Sequence, residues 1–292
     1  MSAERQEIPV KALPGAPQQK WTMPETPADR TLETAIMPFD EFLRLRLRSG
    51  DDRRGLFPAT GYDQKYMDDL LTDPVMQKVK DDYTFTAWSM EPDSIVFLGE
   101  VIDMFKPRVV LELGSGISTP ILAARLKALW AGHDNRPLYV TIDQSDEYLS
   151  QTLNLVEKGD VADIVKPLVF PMAYFEVGQD EKGETQALAC YDFNEEKLFE
   201  ACGGQRPDMI IIDGPTGGGA GGFPFARMLT APILSQYAMP GALICMDDAY
   251  RDTEIKEAQS WIQSETVNVL GIKAVGKGLM MGLVNENAAN AF

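Results

Sequence analysis

The chain has 292 residues, with 44 Asp and Glu against 27 Lys and Arg and a formal net charge of −17. That length supports a full hydrophobic core, in one large domain with an N-terminal appendage. A surface this acidic repels a phosphate backbone, which argues against nucleic acid as a partner, and no window reaches the unbroken apolar length of a membrane span. Cys190, Cys202 and Cys245 are spaced for neither a disulfide framework nor a zinc knuckle, and the N-terminus lacks an apolar signal core. Both features predict a cytoplasmic protein with reduced thiols. His133, the sole histidine, lies in a polar loop with no nucleophile near it in sequence, which leaves little basis for a Ser–His or Cys–His enzyme.

Residues 1–30, rich in Pro, Gln, Ala and Gly, read as a disordered or extended arm. Residues 31–93 read as a helical lid or cap. The spacing predicts a helix over 31–49, with Phe39, Phe42, Leu43 and Leu47 on one stripe beside Arg44, Arg46 and Arg48. Those arginines form either a solvated face or a surface for an acidic ligand. Residues 50–90 mix turns with short helices and carry Tyr62, Tyr66, Tyr83, Phe85 and Trp88, as a lid over a substrate or as a layer covering the sheet's edge.

Residues 94–292 form the main domain. A helix over 94–105 ends at Lys106-Pro107, before the apolar run Val109, Val110, Leu111 and Leu113. Gly114, Ser115 and Gly116 then turn the chain into a helix over 117–129, where free N–H groups and the lack of Cβ atoms suit a close ligand. Strands follow at 138–142, 164–170, 209–212 and 242–246, alternating with helices at 147–158, 195–201, 225–237 and 253–264. The stretch GQDEKGETQALACYD reads as an insertion after the third strand. Two runs at 266–272 and 274–284 are joined too closely for a crossover helix and must pair antiparallel. The fold class is α/β and Rossmann-like: a mostly parallel sheet ending in an antiparallel hairpin, with helices on both faces.

Asp143, Asp213 and the pair Asp247 and Asp248 each follow a parallel strand, which gathers them around one crevice at the strands' carboxyl ends. Asp143 can accept hydrogen bonds from ribose hydroxyls or cap the next helix, although Ser145 can fill the capping role. Gly114 and Gly116 suit an adenosine-bearing cofactor, but a dinucleotide fingerprint wants a third small residue where Thr119 stands. Glu112 would crowd a pyrophosphate and suits an ammonium group better. The combination favours S-adenosyl-L-methionine over NAD, with an NAD(P)-linked oxidoreductase and a non-catalytic nucleoside-binding domain as rivals.

ELGSGIST, Asp143 and the terminal hairpin resemble the class I S-adenosylmethionine-dependent methyltransferases over residues 89–284. The resemblance implies that Glu112, Gly114 and Ser115 flank the methionine part, that Gly116 and Ser118 also belong to the cofactor site, that Asp143 binds the ribose, and that Met172 and Ala173 lie near the adenine. PDMIIIDGP and GALICMDDAYRDTE resemble catechol- and sugar-type O-methyltransferases, which implies a divalent ion such as Mg²⁺ on Asp213, Asp247 and Asp248, with Asp213 also beside the cofactor. Asp213 and Asp247 would lower the acceptor hydroxyl's pKa, through the metal or as general base. Where the catechol-type enzymes carry a catalytic lysine, this chain has Thr216.

The IDGP turn followed by Arg227 is similar to enzymes that methylate glucuronic acid side chains of xylan, which points to a sugar-like or other polyhydroxylated small-molecule acceptor. On the bland alternative, Asp213 bonds its own turn and Asp248 caps a helix or pairs with Arg251. Arg227 and Arg251 either balance the acids or bind an acceptor carboxylate. Trp88 would shape the acceptor pocket, the glycine-rich loop 214–222 would close over it, and the arm could pack on a second copy in a homo-oligomer.

Overall fold

The computed structural model describes residues 8–24, 36–49, 64–179, 182–215, 223–286 and 288. Tyr62, Thr216 and most of the glycine-rich loop lie outside the described residues.

The chain begins with β1 (Val10–Lys11), β2 (Met37–Pro38), α1 (Phe39–Ser49), α2 (Gln64–Thr72), α3 (Pro74–Val79) and α4 (Pro92–Phe105). The alternating core runs β3 (Val109–Leu113), α5 (Ser118–Leu129), β4 (Leu138–Asp143), α6 (Asp146–Lys158) and β5 (Val165–Val169). After β6 (Met172–Gln179), β7 (Thr185–Tyr191) and α7 (Glu195–Ala201) come β8 (Met209–Ile212), α8 (Thr230–Ser235), β9 (Leu243–Met246) and α9 (Asp252–Gln263). The chain closes with β10 (Val267–Lys273) and β11 (Leu279–Val284).

Eight strands form the main sheet in the order β2-β10-β11-β9-β8-β3-β4-β5. From β9 to β5 neighbours are parallel, whereas β11 pairs antiparallel with both β9 and β10, which is the expected closing hairpin. The chain moves outward through β3, β4 and β5, then returns to lay β8 on the other side of β3. This reversal opens a crevice between the loops after β3 and β8, where a doubly wound sheet binds its ligands. Antiparallel β11 also has a positional consequence: it begins where parallel β9 ends, with Met280 opposite Met246. The turn between β10 and β11 therefore arrives at the same end of the sheet.

Alternation along β3 divides the core. Val109, Leu111 and Leu113 pack with Ile210, Ile212, Ile244, Met246 and Trp261 on one face. Val110 packs with Ile211, Cys245, Ile95, Leu98 and Leu122 on the other. Leu70, Val75, Met76 and Val79 join this second cluster, so the described part of the 64–90 segment is a packing layer on the helical face.

Three expectations change. The first helix starts only at Phe39, because Met37 and Pro38 pair with Ile272 and Gly271 at the edge of the sheet. The helix expected over 225–237 is confined to Thr230–Ser235, after turns in which Phe225 has a positive φ of 58°. Most of the described part of the stretch read as an insertion is strand: β6 and β7 pair antiparallel and form a second, three-stranded sheet with β1. Their distal ends are exposed, so the alternation that marks a half-buried strand is missing there.

Residues 8–24 of the arm are extended along the body. Val10 and Lys11 pair in parallel with Tyr174 and Phe175, and the Trp21 ring meets Phe199 edge-on at 5.1 Å. Among the described residues no helix is long and apolar enough to cross a membrane.

Candidate active site

The glycine turn after β3 is held by its neighbours on both sides. Gly114 has a φ of 88°, and a β-carbon built there would lie 2.6 Å from Gly214 N. The Leu113 carbonyl accepts from both Asp213 N (2.9 Å) and Gly214 N (2.6 Å), which seals the loops after β3 and β8 together. On the other side Asp143 Oδ2 accepts from Ser115 N (3.1 Å) and Ser115 Oγ (2.8 Å), while Oδ1 accepts from Ser145 N (2.9 Å). Ser145, accepting from Tyr148 N, caps α6, so Asp143 is not the cap; it braces the turn. A β-carbon at Gly116 would meet nothing within 4 Å, and no side chain caps α5. The turn is thus firm behind and open in front, a cradle that fits the polar end of an adenosine-type cofactor.

Glu112 and Ser118 lie behind this cradle and do not line it. The Glu112 carboxylate is fully buried and accepts from Ser118 Oγ (2.6 Å), Thr119 Oγ1 (2.6 Å) and Thr141 Oγ1 (3.2 Å). It staples β3 to the first turn of α5 and to β4. Burial pushes its pKa up to about 7, against the pull of those hydroxyls. Met172 and Ala173 are buried at the start of β6, opposite Tyr191 and Cys190. Tyr191 is a contributor that sequence reasoning missed: its hydroxyl donates to Gln144 Oε1 at 3.1 Å, and a β-carbon on Gly214 would lie 2.5 Å from it.

Beyond the seal lie the acids. One carboxylate oxygen from each of Asp213, Asp247 and Asp248 falls within 4.8 Å of the others, the gathering that the strand-end positions predict. Asp247 and Asp248 are buried and Asp213 is partly exposed. Asp247 Oδ1 faces Ser94 Oγ at 3.4 Å, and its Oδ2 has no hydrogen-bond partner. Burial, then the charges of Asp213 and Asp248, hold the Asp247 carboxyl well above the usual carboxylate range. Asp213 is raised by burial and by Asp248.

Arg227, read either as balancing the acids or as meeting an acceptor carboxylate, is buried behind the acids. It donates from Nη1 to the Asp247 carbonyl at 2.9 Å and from Nη2 to the Asp213 carbonyl, so one guanidinium ties the ends of β8 and β9 together. Nη2 also reaches Asp248 Oδ2 at 3.3 Å, and the Arg227 backbone N–H is held by Glu257. Arg251 stands at the mouth, half-exposed, 2.7 Å from Asp248 Oδ2. Trp88 is 64% exposed, and the carbonyls flanking it, of Ala87 and Ser89, lie 3.4 and 3.5 Å from Lys277 Nζ.

Lys277 is the second missed residue. It sits in the turn between β10 and β11, which is fastened to the segment after β9 by Ala249 N to Gly278 O (2.8 Å) and Tyr250 N to Lys277 O (3.0 Å). Its Nζ lies 3.2 Å from Asp248 Oδ1. Burial disfavours its charge, but Asp248, Asp247 and Asp213 outweigh burial and keep it protonated. The only signal for it in the sequence is topological: an antiparallel last strand beside β9 delivers its leading turn to this crevice.

These neighbours decide how well a divalent ion fits. Oxygen-only donors suit Mg²⁺ in kind. Asp248, however, already has Arg251 and Arg227 on one oxygen and Lys277 near the other. Arg227 and Arg251 are shared with the buried Glu254, and Asp247 Oδ2 keeps no partner, so Lys277 is the basic group that a metal on these acids would have to displace. With that ammonium 3.2 Å from Asp248 Oδ1, the donor set as arranged does not fit a divalent cation on that oxygen.

No protein-family model matches this sequence, and no curated protein matches it. Solved structures do. Cofactor-bound Rv0187 from MTB aligns with a TM-score of 0.51 at 18% identity, over 77% of this chain and 96% of that one. An O-methyltransferase from Bacillus cereus in complex with SAH aligns at 0.46 and 16% identity, over 78% and 94%. The O-methyltransferase TomG from Streptomyces achromogenes, in complex with SAM, aligns at 0.47 and 14% identity, over 78% and 92%. The likeness is one of fold: a mostly parallel, Rossmann-like sheet that closes on an antiparallel hairpin.

Proposed function

We propose that the protein is an S-adenosylmethionine-dependent methyltransferase acting on a hydroxyl of a small, sugar-like acceptor. The observation that carries this reading is the contact between two half-sites. The cradle at Ser115 and Asp143 adjoins the acids at Asp213 and Asp247 through the Gly114–Gly214 seal. Direct transfer between a donor and an acceptor needs that adjacency, because the attacking oxygen must line up behind the carbon it attacks. A nucleoside-binding domain without turnover has no use for three acids on the far side of the seal.

When bound, the cofactor supplies a methyl group on a positively charged sulfur. The chain's own residues do the rest. Asp143, braced by the Ser115 N–H and hydroxyl, orients the ligand in the cradle, and Gly116 leaves it room. Asp247, with an unpartnered oxygen and a raised pKa, is suited to take the proton of a hydroxyl placed in the crevice. Trp88 and Arg251, both accessible to solvent, would meet the rest of the acceptor. Thr119 weighs against an NAD-linked reaction: it stands where a dinucleotide site needs a third glycine, and its hydroxyl is committed to Glu112. The three buried, free thiols support a reducing, cytoplasmic setting.

Calorimetry with S-adenosylhomocysteine and with NAD tests the cofactor half of the reading. Binding of the first and not the second is the expected result; the reverse, or binding of neither, removes it. Incubation with labelled S-adenosylmethionine and a panel of polyhydroxylated acceptors then tests transfer.

A further inference from the structure

The acid crevice carries a positive charge of its own, delivered from an unexpected quarter. Asp213 and Asp247/Asp248 come from the ends of β8 and β9, whereas Lys277 comes from the turn before β11, which lies against the segment after β9. Four groups fix its Nζ or its backbone: Asp248 Oδ1 at 3.2 Å, the carbonyls of Ala87 and Ser89, and Tyr250 N on its own carbonyl. The turn itself is anchored to the start of α4, where Gly276 N donates to Asp93 Oδ2 at 2.6 Å. Ser94, one residue on, faces Asp247. The ammonium is therefore built into the wall of the crevice, with its side chain only 22% exposed.

We propose that Lys277 is the resident cation of this crevice, held where a divalent metal would otherwise sit, and that it positions the carboxylates which face the acceptor. The link to the acceptor rests on the methyltransferase reading; the role as resident cation does not. The chemistry follows from charge. Three neighbouring carboxylates repel one another and bind a divalent ion when nothing else neutralises them. Here Arg227 and Arg251 offset part of that charge from behind and from the mouth while also serving the buried Glu254, and Lys277, against Asp248 Oδ1, occupies the side a metal would need. An ammonium cannot polarise an acceptor oxygen as strongly as Mg²⁺, but it holds the carboxylates at fixed positions with Asp247 Oδ2 left free.

Mn²⁺ alone provides the probe, followed by loss of the free-ion signal in electron paramagnetic resonance, with folding checked by circular dichroism. The wild-type chain and Lys277→Arg should show no saturable one-to-one binding. Lys277→Met should gain such a site, at least about tenfold tighter than any wild-type binding, because removing one fixed charge at contact distance changes an ion's affinity by at least that much. Should Lys277→Met not fold, Lys277→Gln, which keeps a donor for the Ala87 and Ser89 carbonyls, carries the comparison. A tight, saturable site in the wild type overturns the proposal, and so does the absence of any gain in the folded variant. Neither arm needs a methyl donor or an acceptor, so the outcome is independent of the S-adenosylhomocysteine titration.

Discussion

The main chains of Gly114 and Gly214 are in direct contact: a β-carbon on the first would lie 2.6 Å from the second's nitrogen, and one on the second 2.8 Å from the first's Cα. Neither backbone can retreat, because each loop follows a buried central strand. Gly114→Ala should destabilise the fold by about 1–3 kcal/mol, from its positive φ together with the clash. It should also weaken S-adenosylhomocysteine binding. Gly116→Ala, whose β-carbon meets nothing within 4 Å, is the control and should melt like the wild type in urea.

Asp143 both braces the turn and, on the proposed reading, meets the ribose. Replacing it with Ala removes charge-assisted hydrogen bonds worth about 1.5–3 kcal/mol, a loss of roughly ten- to hundredfold in S-adenosylhomocysteine affinity by calorimetry. Ser115→Ala deletes the hydroxyl bond but keeps the carboxylate and should cost less. Equal losses in the two variants would mean that Asp143 acts only through the turn.

Arg227 and Arg251 both pair with Asp248, and their surroundings predict opposite outcomes. Arg227→Met leaves two strand-end carbonyls and several buried acids without their partner and should lower stability by about 3–5 kcal/mol in urea unfolding. Arg251→Met removes a half-exposed pair and should cost under about 1 kcal/mol. If the two variants melt alike, the guanidinium of Arg227 does not tie β8 to β9.

Glu112 makes stability depend on pH. Its folded pKa of about 7 lies above the ordinary 4.5, so the folded state holds the proton more tightly than the unfolded chain does. The stability from this group is complete below pH 4.5 and is lost as pH rises through about 7, up to about 3 kcal/mol. Glu112→Gln, which cannot ionise, should lack that slope. The measurement is urea unfolding of both proteins from pH 5 to pH 8, and parallel curves would contradict it.

Much of this arrangement is legible in the residues themselves. The short apolar runs place β3, β4, β8 and β9, the last three closed by acids, and the short link before residue 279 forces the last pairing to be antiparallel. Side-chain direction is not legible in the same way. Glu112 and Arg227 look like ligands from their charge, yet alternation along β3 turns the first toward α5, and the turns before α8 bury the second. Lys277 stayed hidden for another reason. A lysine between glycines in a hairpin turn looks like a solvated tip until strand order is known, and strand order is set by packing between segments far apart in the chain. The β6–β7 hairpin escaped notice because its exposed half has no apolar alternation.

The first strand, one of two with only two residues among the described residues, has a protective consequence. At two residues, β1 adds little to the core, and Val10 is itself 58% exposed. It nevertheless occupies the outer edge of β6 at Tyr174 and Phe175. An open edge of this kind is a template on which copies of a chain can stack. A shortened chain beginning after residue 24 would leave that rim bare and should tend to self-associate, so the arm guards against aggregation from one end of the smaller sheet.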